Sequence, residues 1–531
     1  MSAGRGDTLE QVPRSPSTSP TLRPPVPAPG QHGKGWGLPL AVVVVGMFMS
    51  VLDTSIVNVA IPTMQKEFGV TTDDIEWVTT AYTLCLGVIV PTSAWLGDRL
   101  GLRRLYVICL LGFSLFSALC GMAGGLGAEI AFRVLQAVPG GVIPVTCLTL
   151  LYRIVPQDKR GLAMGMYGFG IVFAPGAGPT LGGYLVDNFS WRLIFYINVP
   201  IGVLGALAAL TVLPRAAGTR TARFDVPGFA CVAAGLFALL LAVSEGQTWG
   251  WTSYPILILA AAGVNLLALF VVIELQVAKP LLDVRVFSSW AFVNSVALIS
   301  ILFIGMFAVL FYVPLFLQQG QRITALNTGL VLLPQALVML IITPFAGRLY
   351  DRIGARWPAA VGLALDAVGT LLMIQINADM TRPELIWWLM VRSAGIGLAM
   401  MPIMTSGISA LPPVMVGSGS AFNTLFQRVS SALGLAALTA LATAQQAQFM
   451  ADRSAMYPLG AQADPQIVVM AHPGPGGLIG LWEQLRLHVQ AQAYANVLLI
   501  AGASAAVAAM MALFLPNGRP SGGQDAAPVE A

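Results

Sequence analysis

The sequence predicts an all-α integral membrane protein with about fourteen transmembrane helices, and three observations carry that expectation. Of the 531 residues, 56% are hydrophobic and only 10% are charged, where an ordinary soluble domain carries roughly 25%. The mean hydropathy is +0.77. Apolar segments follow one another along the chain, most of them near the roughly 20 residues that a helix needs to cross a bilayer. Finally, the chain repeats itself, with two matching loops about 250 residues apart.

Taken in order, residues 1–36 are rich in Pro, Ser, Gly and Thr, with Arg5, Arg14, Arg23 and Lys34 among them. They read as a disordered basic tail. The tail is too long and polar for the n-region of a cleaved signal peptide, so the first span is expected in the mature protein. Span one, 38–61, lies in the run LPLAVVVVGMFMSVLDTSIVNVAIP. Pro39 falls in its first turn, where a helix tolerates it. Further spans are expected at 75–96, 105–125, 129–151, 162–186, 193–213, 225–243, 255–275, 290–317, 325–349, 357–377, 385–409, 415–443 and 493–515. Asp73 and Glu76 ahead of span two fit a helix cap followed by a third-position acid. Trp36, Trp77, Trp95, Trp191, Trp290, Trp357, Trp387 and Trp388 fall at span ends, as an interfacial belt would. A long connection, 444–492, holds the apolar patch Ile467–Met470 and reads as a passive insertion or a small docking lid.

Lys and Arg set the orientation. With the N-terminus inside, inner loops and tails hold about 19 basic residues and outer loops about six. Both termini are therefore expected in the cytoplasm.

Composition also excludes several function classes. The five cysteines lie in apolar spans without C-x-x-C spacing, which argues against a disulfide framework or zinc site. No His/Cys/carboxylate cluster has metal-ligand spacing, no nucleophile–base constellation appears, and no Walker loop is present. Neither an enzyme nor an ATP-driven machine is expected, and no cofactor. A net charge of +4 on so apolar a chain gives no reason to expect nucleic acid as a partner.

The repeated loop reads Ala94-Trp95-Leu96-Gly97-Asp98-Arg99-Leu100-Gly101-Leu102-Arg103 and again Gly347-Arg348-Leu349-Tyr350-Asp351-Arg352-Ile353-Gly354-Ala355-Arg356. A second echo pairs the run from Arg133 with that from Arg392. Two six-span units with two spans between them give such offsets, and internal repeats of this kind mark transporters. The expected organisation is a tail 1–36, a six-helix bundle 37–214, two linker helices 215–285, a second six-helix bundle 286–516, and a tail 517–531.

From Leu38 to Leu515 the chain resembles the major facilitator superfamily, specifically its fourteen-span drug:proton antiporters (the EmrB/QacA type). LDTSIVNVAIP at 52–62, WLGDRLGLRR at 95–104, the run from Arg133, and APGAGPTLGGYLVDNFSWRLIFYINVPIG at 174–202 carry the likeness. FDVPG at 224–228, SEGQTWGW at 244–251 and PLLDVRVF at 280–287 resemble the fourteen-span branch around its two extra helices. Ala94 and Ala137 stand where that family usually has Gly. The resemblance implies two pseudo-symmetric bundles and proton-coupled efflux from the bacterial inner membrane by alternating access. It also implies a drug-like small molecule, protons and lipid as partners, and it leaves a periplasmic adaptor with an outer-membrane channel open. A dedicated exporter of one metabolite or self-made antibiotic is the near alternative, and a non-transporting membrane sensor the distant one.

The candidate site residues are the charges that hydrocarbon disfavours. A charge at the bilayer centre costs about 2.5–3.5 kcal/mol on insertion scales. Asp53 in span one and Arg133 in span four both fall in the outer half of the membrane, within mutual reach. Burial favours the protonated acid and a guanidinium favours the carboxylate. Opposed, the two influences suit a proton carrier, and a fixed ion pair between helices is the rival reading. Asp366 in span eleven is a second candidate, paired with Arg392. Asp98, Arg99 and Arg103, with Asp351 and Arg352 in the second copy, are expected to latch the inner side. In span five, Gly170, Ala174, Gly178 and Gly182 form a small-residue stripe for close helix approach, and Pro175 and Pro179 invite a bend. The resemblance makes this the antiporter motif, sealing the site against leak. Phe307, Phe311 and Met401 are candidates for lining an adaptable cavity, with helix packing or lipid contact as the alternative.

Overall fold

The computed structural model describes residues 35–156, 159–215, 224–277, 280–323, 325–376, 380–456 and 475–516. The described residues are helical almost throughout. Lipid offers no partner to a backbone N–H or C=O, and a helix satisfies both internally. Twelve described helices are long and apolar enough to cross a membrane, and fourteen spans result when each of two bent pairs counts as one.

The helices run in order: α1 Gly37–Phe68, α2 Thr72–Ile89, α3 Thr92–Leu100, α4 Leu102–Gly121, α5 Leu126–Ile154, α6 Arg160–Asn188, α7 Leu193–Tyr196, α8 Asn198–Val212, α9 Val226–Trp249, α10 Tyr254–Gln276, α11 Trp290–Leu315, α12 Ala325–Ile353, α13 Arg356–Leu372, α14 Arg382–Ser409, α15 Val416–Met456 and α16 Pro475–Ala512. The face from which α1 departs is termed the near face, and the opposite one the far face. α2 and α3 meet at a 60° bend at Val90–Pro91, where proline cannot continue the hydrogen-bond ladder. α6 bends by 41° between Pro175 and Ala177.

Two local expectations are corrected. The α2 cap is Thr71, whose side chain accepts from the Asp74 N–H while Asp74 reaches back to the Thr71 N–H. The capping box thus uses Thr71 and Asp74 and not Asp73 and Glu76, because a hydroxyl at the cap leaves the third-position acid free to return the bond. The long connection 444–492 is mostly helix, since α15 runs on to Met456 and α16 begins at Pro475. The apolar patch 467–470 lies outside the described residues, as do the tails 1–34 and 517–531.

The repeat seen in the loops extends to the packing. α1 packs on α5, α6 and α8, and α4 on α5 and α8. The same scheme recurs as α11 on α14, α15 and α16, and α13 on α14 and α16. Gly101 and Gly354, at matching positions of the two loop motifs, have φ of +80° and +82°, a conformation that costs glycine little. α9 and α10 pack mainly on each other, with α9 also touching α2 and α15. Outward apolar side chains such as Leu204, Ile258 and Ile341 stay 65–71% exposed, as a lipid-facing surface requires.

α6 joins the two halves. One of its faces, Gly161, Gly165 and Gly168, meets Gly347, Pro344 and Thr343 of α12. At Gly165 a Cβ would sit 2.7 Å from both the Pro344 Cα and the Thr343 carbonyl oxygen. Backbone cannot yield there, so Gly165→Val is expected to cost about 1–3 kcal/mol through overpacking. Gly183 has nothing within 4 Å of the same position. Thermal unfolding of the purified protein should show a clear drop in midpoint for Gly165→Val and none for Gly183→Val.

Candidate functional site

Asp53 lies midway along α1 and is fully buried. Its Oδ2 is 2.7 Å from Arg133 Nη1 of α5. Its Oδ1 accepts from Gln136 Nε2 at 3.1 Å and from Asn198 Nδ2 of α8 at 2.9 Å. Arg133 Nη1 also donates to Gln136 Oε1 at 2.7 Å, and Asn198 Nδ2 to Ser117 Oγ of α4 at 3.1 Å. Arg133 and Gln136 share a face because they are three residues apart on one helix. The Arg133 guanidinium lies 3.7 Å over the centre of the Tyr82 ring of α2, a favourable seat for a desolvated cation. One carboxylate thus gathers α1, α4, α5 and α8, with α2 as a lid on its partner.

One turn toward the far face from Arg133 stands Glu129, fully buried, with neither carboxyl oxygen hydrogen-bonded among the described residues. Further out, Glu67 pairs with Arg192 at 2.7 Å, both partly exposed. Trp191 Nε1 donates to Glu67 at 2.6 Å. Trp191 is buried and not an interfacial anchor, because this bond and the apolar cluster around Phe195 hold it inside. Three acids therefore step inward: Glu67, Glu129, Asp53. Sequence reading missed Glu129, which looks like an ordinary first-turn acid. It also missed Gln136, Asn198 and Tyr82. Two of these gave a signal, as amides inside apolar runs.

The second half carries a variant of this arrangement. Arg392 Nε is 3.3 Å from Asp366 Oδ1 and 3.1 Å from Thr370 Oγ1, and Arg392 Nη2 donates to the Gly305 carbonyl at 2.9 Å. Gly305 stands 252 residues after Asp53 (305 minus 53), close to the repeat offset. Where the first half has an acid on α1, the second offers a backbone carbonyl on α11, and the acid comes from α13 instead.

The latch candidates separate. Asp351 Oδ1 accepts from the Gly161 N–H at 3.0 Å and Oδ2 from the Leu162 N–H at 3.3 Å. This carboxylate of α12 sits at the N-terminus of α6, where the helix dipole favours an anion, and so bridges the halves. Beside it, Tyr152 Oη donates to the Thr405 carbonyl at 3.4 Å, and Arg160 Nη2 to the Tyr152 carbonyl at 3.0 Å. Arg103 instead donates to the Leu210 carbonyl within the first half. Arg99 lies over the Trp95 ring at 5.1 Å, Asp98 is within electrostatic reach of Arg153, and Arg352 is exposed.

The stripe Gly170, Gly178 and Gly182 faces α1, and Ser55 Oγ donates to the Ala174 carbonyl at 3.2 Å. Pro175 and Pro179 flank the bend in the same helix. Met401 is fully buried with its thioether at Gly168 of α6. It packs at the place where α14 meets α6. Phe307 stacks on Phe303 at 6.3 Å, and Phe311 is 43% exposed.

The family model of the Major Facilitator Superfamily matches residues 43–435. The chain belongs to the major facilitator superfamily. Its similarity extends to named transporters. It is 34% identical over 404 residues to the uncharacterized MFS-type transporter YhcA of Bacillus subtilis, covering 76% of each chain. It is 33% identical to the multidrug resistance protein Stp of Mycobacterium tuberculosis, over 76% of this chain and 75% of that one. It is 30% identical to the tetracenomycin C resistance and export protein of Streptomyces glaucescens, over 93% and 94%. Among solved structures, the proton:xylose symporter XylE superposes with a TM-score of 0.59 at 13% identity, covering 91% of this chain and 97% of that one. This major facilitator protein is thus a multi-pass membrane transporter for small molecules.

A buried ion pair makes a sharp stability prediction. Removing one charge leaves the other unpaired and costs about 3–5 kcal/mol, while neutralising both costs far less. Thermal unfolding should therefore rank Arg133→Gln as markedly less stable than the double variant Asp53→Asn/Arg133→Gln.

Proposed function

We propose that this transporter exports lipophilic or amphipathic compounds across the bacterial cytoplasmic membrane in exchange for protons, with Asp53 as the coupling acid. The observation that carries the reading is the fully buried Asp53–Arg133 pair and its ring of amide donors. Protonating Asp53 removes the charge that holds Arg133. The guanidinium then keeps Gln136 and the Tyr82 and Phe195 rings, and the tie between α1 and α5 loosens. A proton event becomes a helix-packing event. Glu129 supplies a step between far-face water and Asp53, because it is a buried acid one helical turn outward with no competing partner among the described residues. Asp366 is the lesser candidate, since its guanidinium is already satisfied by Thr370 and Gly305.

The basic near-face loops support a cytoplasmic near face with both termini on that side. The Asp351 bridge to α6 supports a latch that holds the cytoplasmic side shut while the far side exchanges. The six-plus-two-plus-six organisation fits the repeated packing, with α9 and α10 as the added pair. A dedicated antibiotic exporter is the second reading, favoured by the near full-length similarity to a protein named for tetracenomycin C export.

In proteoliposomes under an imposed pH gradient, Asp53→Asn should reduce driven efflux to background while substrate exchange without a gradient persists. Glu129→Gln should slow driven efflux severalfold and leave exchange intact. Full gradient-driven efflux by Asp53→Asn would contradict the assignment.

A further inference from the structure

Three arginines lie in the middle of spans, and two of them face a carboxylate: Arg133 meets Asp53 and Arg392 meets Asp366. Arg428 of α15 does not. Among the described residues no carboxylate lies within ion-pair distance of it, and its buried Nε has no hydrogen-bond partner. Its electrostatic neighbours are two phenols, Tyr82 of α2 and Tyr167 of α6. Both belong to the other half of the molecule, so the guanidinium reaches from α15 into the seam between the halves. The side chain is half-buried there, and not closed off like Arg133.

An uncompensated guanidinium at this depth is a standing cost that an anion removes. Arg presents a planar fork of donors suited to carboxylate, sulfonate or phenolate oxygens. We propose that Arg428 is the substrate-recognising cation of the seam, and that the preferred cargo is a lipophilic organic anion. This inference deepens the export reading above, on which it rests, but it does not depend on the proton step. Tyr82 joins this place to the coupling acid, because its ring carries Arg133 on one face while the phenol lies near Arg428. An anion held at Arg428 thus sits one aromatic ring away from the ion pair that protonation breaks.

The test is equilibrium binding to the purified full-length protein in zwitterionic nanodiscs with no pH gradient, so its outcome is independent of proton coupling. The probes are a matched pair, 1-naphthalenesulfonate and 1-naphthyltrimethylammonium. The wild type should bind the sulfonate more tightly. Arg428→Gln should weaken the sulfonate by roughly 10- to 100-fold, the loss expected for hydrogen bonds to a charged group, and leave the ammonium unchanged or improved. Arg428→Lys should retain part of the preference. Equal binding of the two probes by the wild type, tighter binding of the ammonium, no sulfonate binding, or an unchanged sulfonate affinity in Arg428→Gln would overturn the proposal. The wild-type comparison decides even if Arg428→Gln fails to fold.

Discussion

Hydrocarbon tolerates a charge only when another group answers it, and the arrangement of this transporter follows from that constraint. Asp53 sits at 0% exposure with three donors on its two oxygens. Those donors come from two other helices, and Ser117 on a fourth steadies one of them. The pair is therefore a packing device as well as a charge pair. Buried ion pairs are poor sources of net stability, because desolvation offsets most of the attraction. Their retention makes better sense where the protein uses the change that follows when the pair is broken.

The comparison of the halves sharpens this view. The helix packing is repeated, and so are the loop glycines with left-handed φ. The chemistry is not repeated. Arg133 ends on a carboxylate of α1, whereas Arg392 meets a backbone carbonyl of α11 and takes its acid, Asp366, from α13. A carbonyl cannot take up a proton at ordinary pH, so the repeat keeps the scaffold in both halves and the titratable group of α1 in one. α6 then stands where the halves must communicate. One glycine stripe lies on α1 beside Asp53, and the other lies on α12 beside Asp351. A helix packed this closely on both sides has little freedom to shift one contact without the other.

Much of this was legible in the chain. Apolar length gave the spans, and the two D-R-x-G loops gave the repeat. A lone carboxylate in span one named the coupling candidate, and the four-residue stripe gave the face that meets α1. What was not legible depends on direction around a helix. Met401 and Arg428 are both polarisable or polar residues in late spans, yet one packs into the seam and the other is left unpaired within it. Gly161, Gly165 and Gly168 lie in the same helix as the Gly170, Gly178 and Gly182 stripe, but only packing reveals that they face α12. Glu129 lies in a first turn, where an acid ordinarily caps a helix at the interface, and its burial comes from neighbouring helices that the local pattern does not encode. Hydrophobic periodicity is weak in spans that are apolar all round, so the sequence marks depth better than it marks facing.

The central claim is that Asp53 itself gains and loses a proton during the cycle. Infrared difference spectroscopy of the protein in lipid, recorded while the pH is lowered through the range in which transport switches on, tests it most directly. The account predicts that a protonated-carboxyl C=O band appears in the wild type and is missing in Asp53→Asn. A spectrum in which that band is identical in both proteins, while the wild type transports, would contradict it.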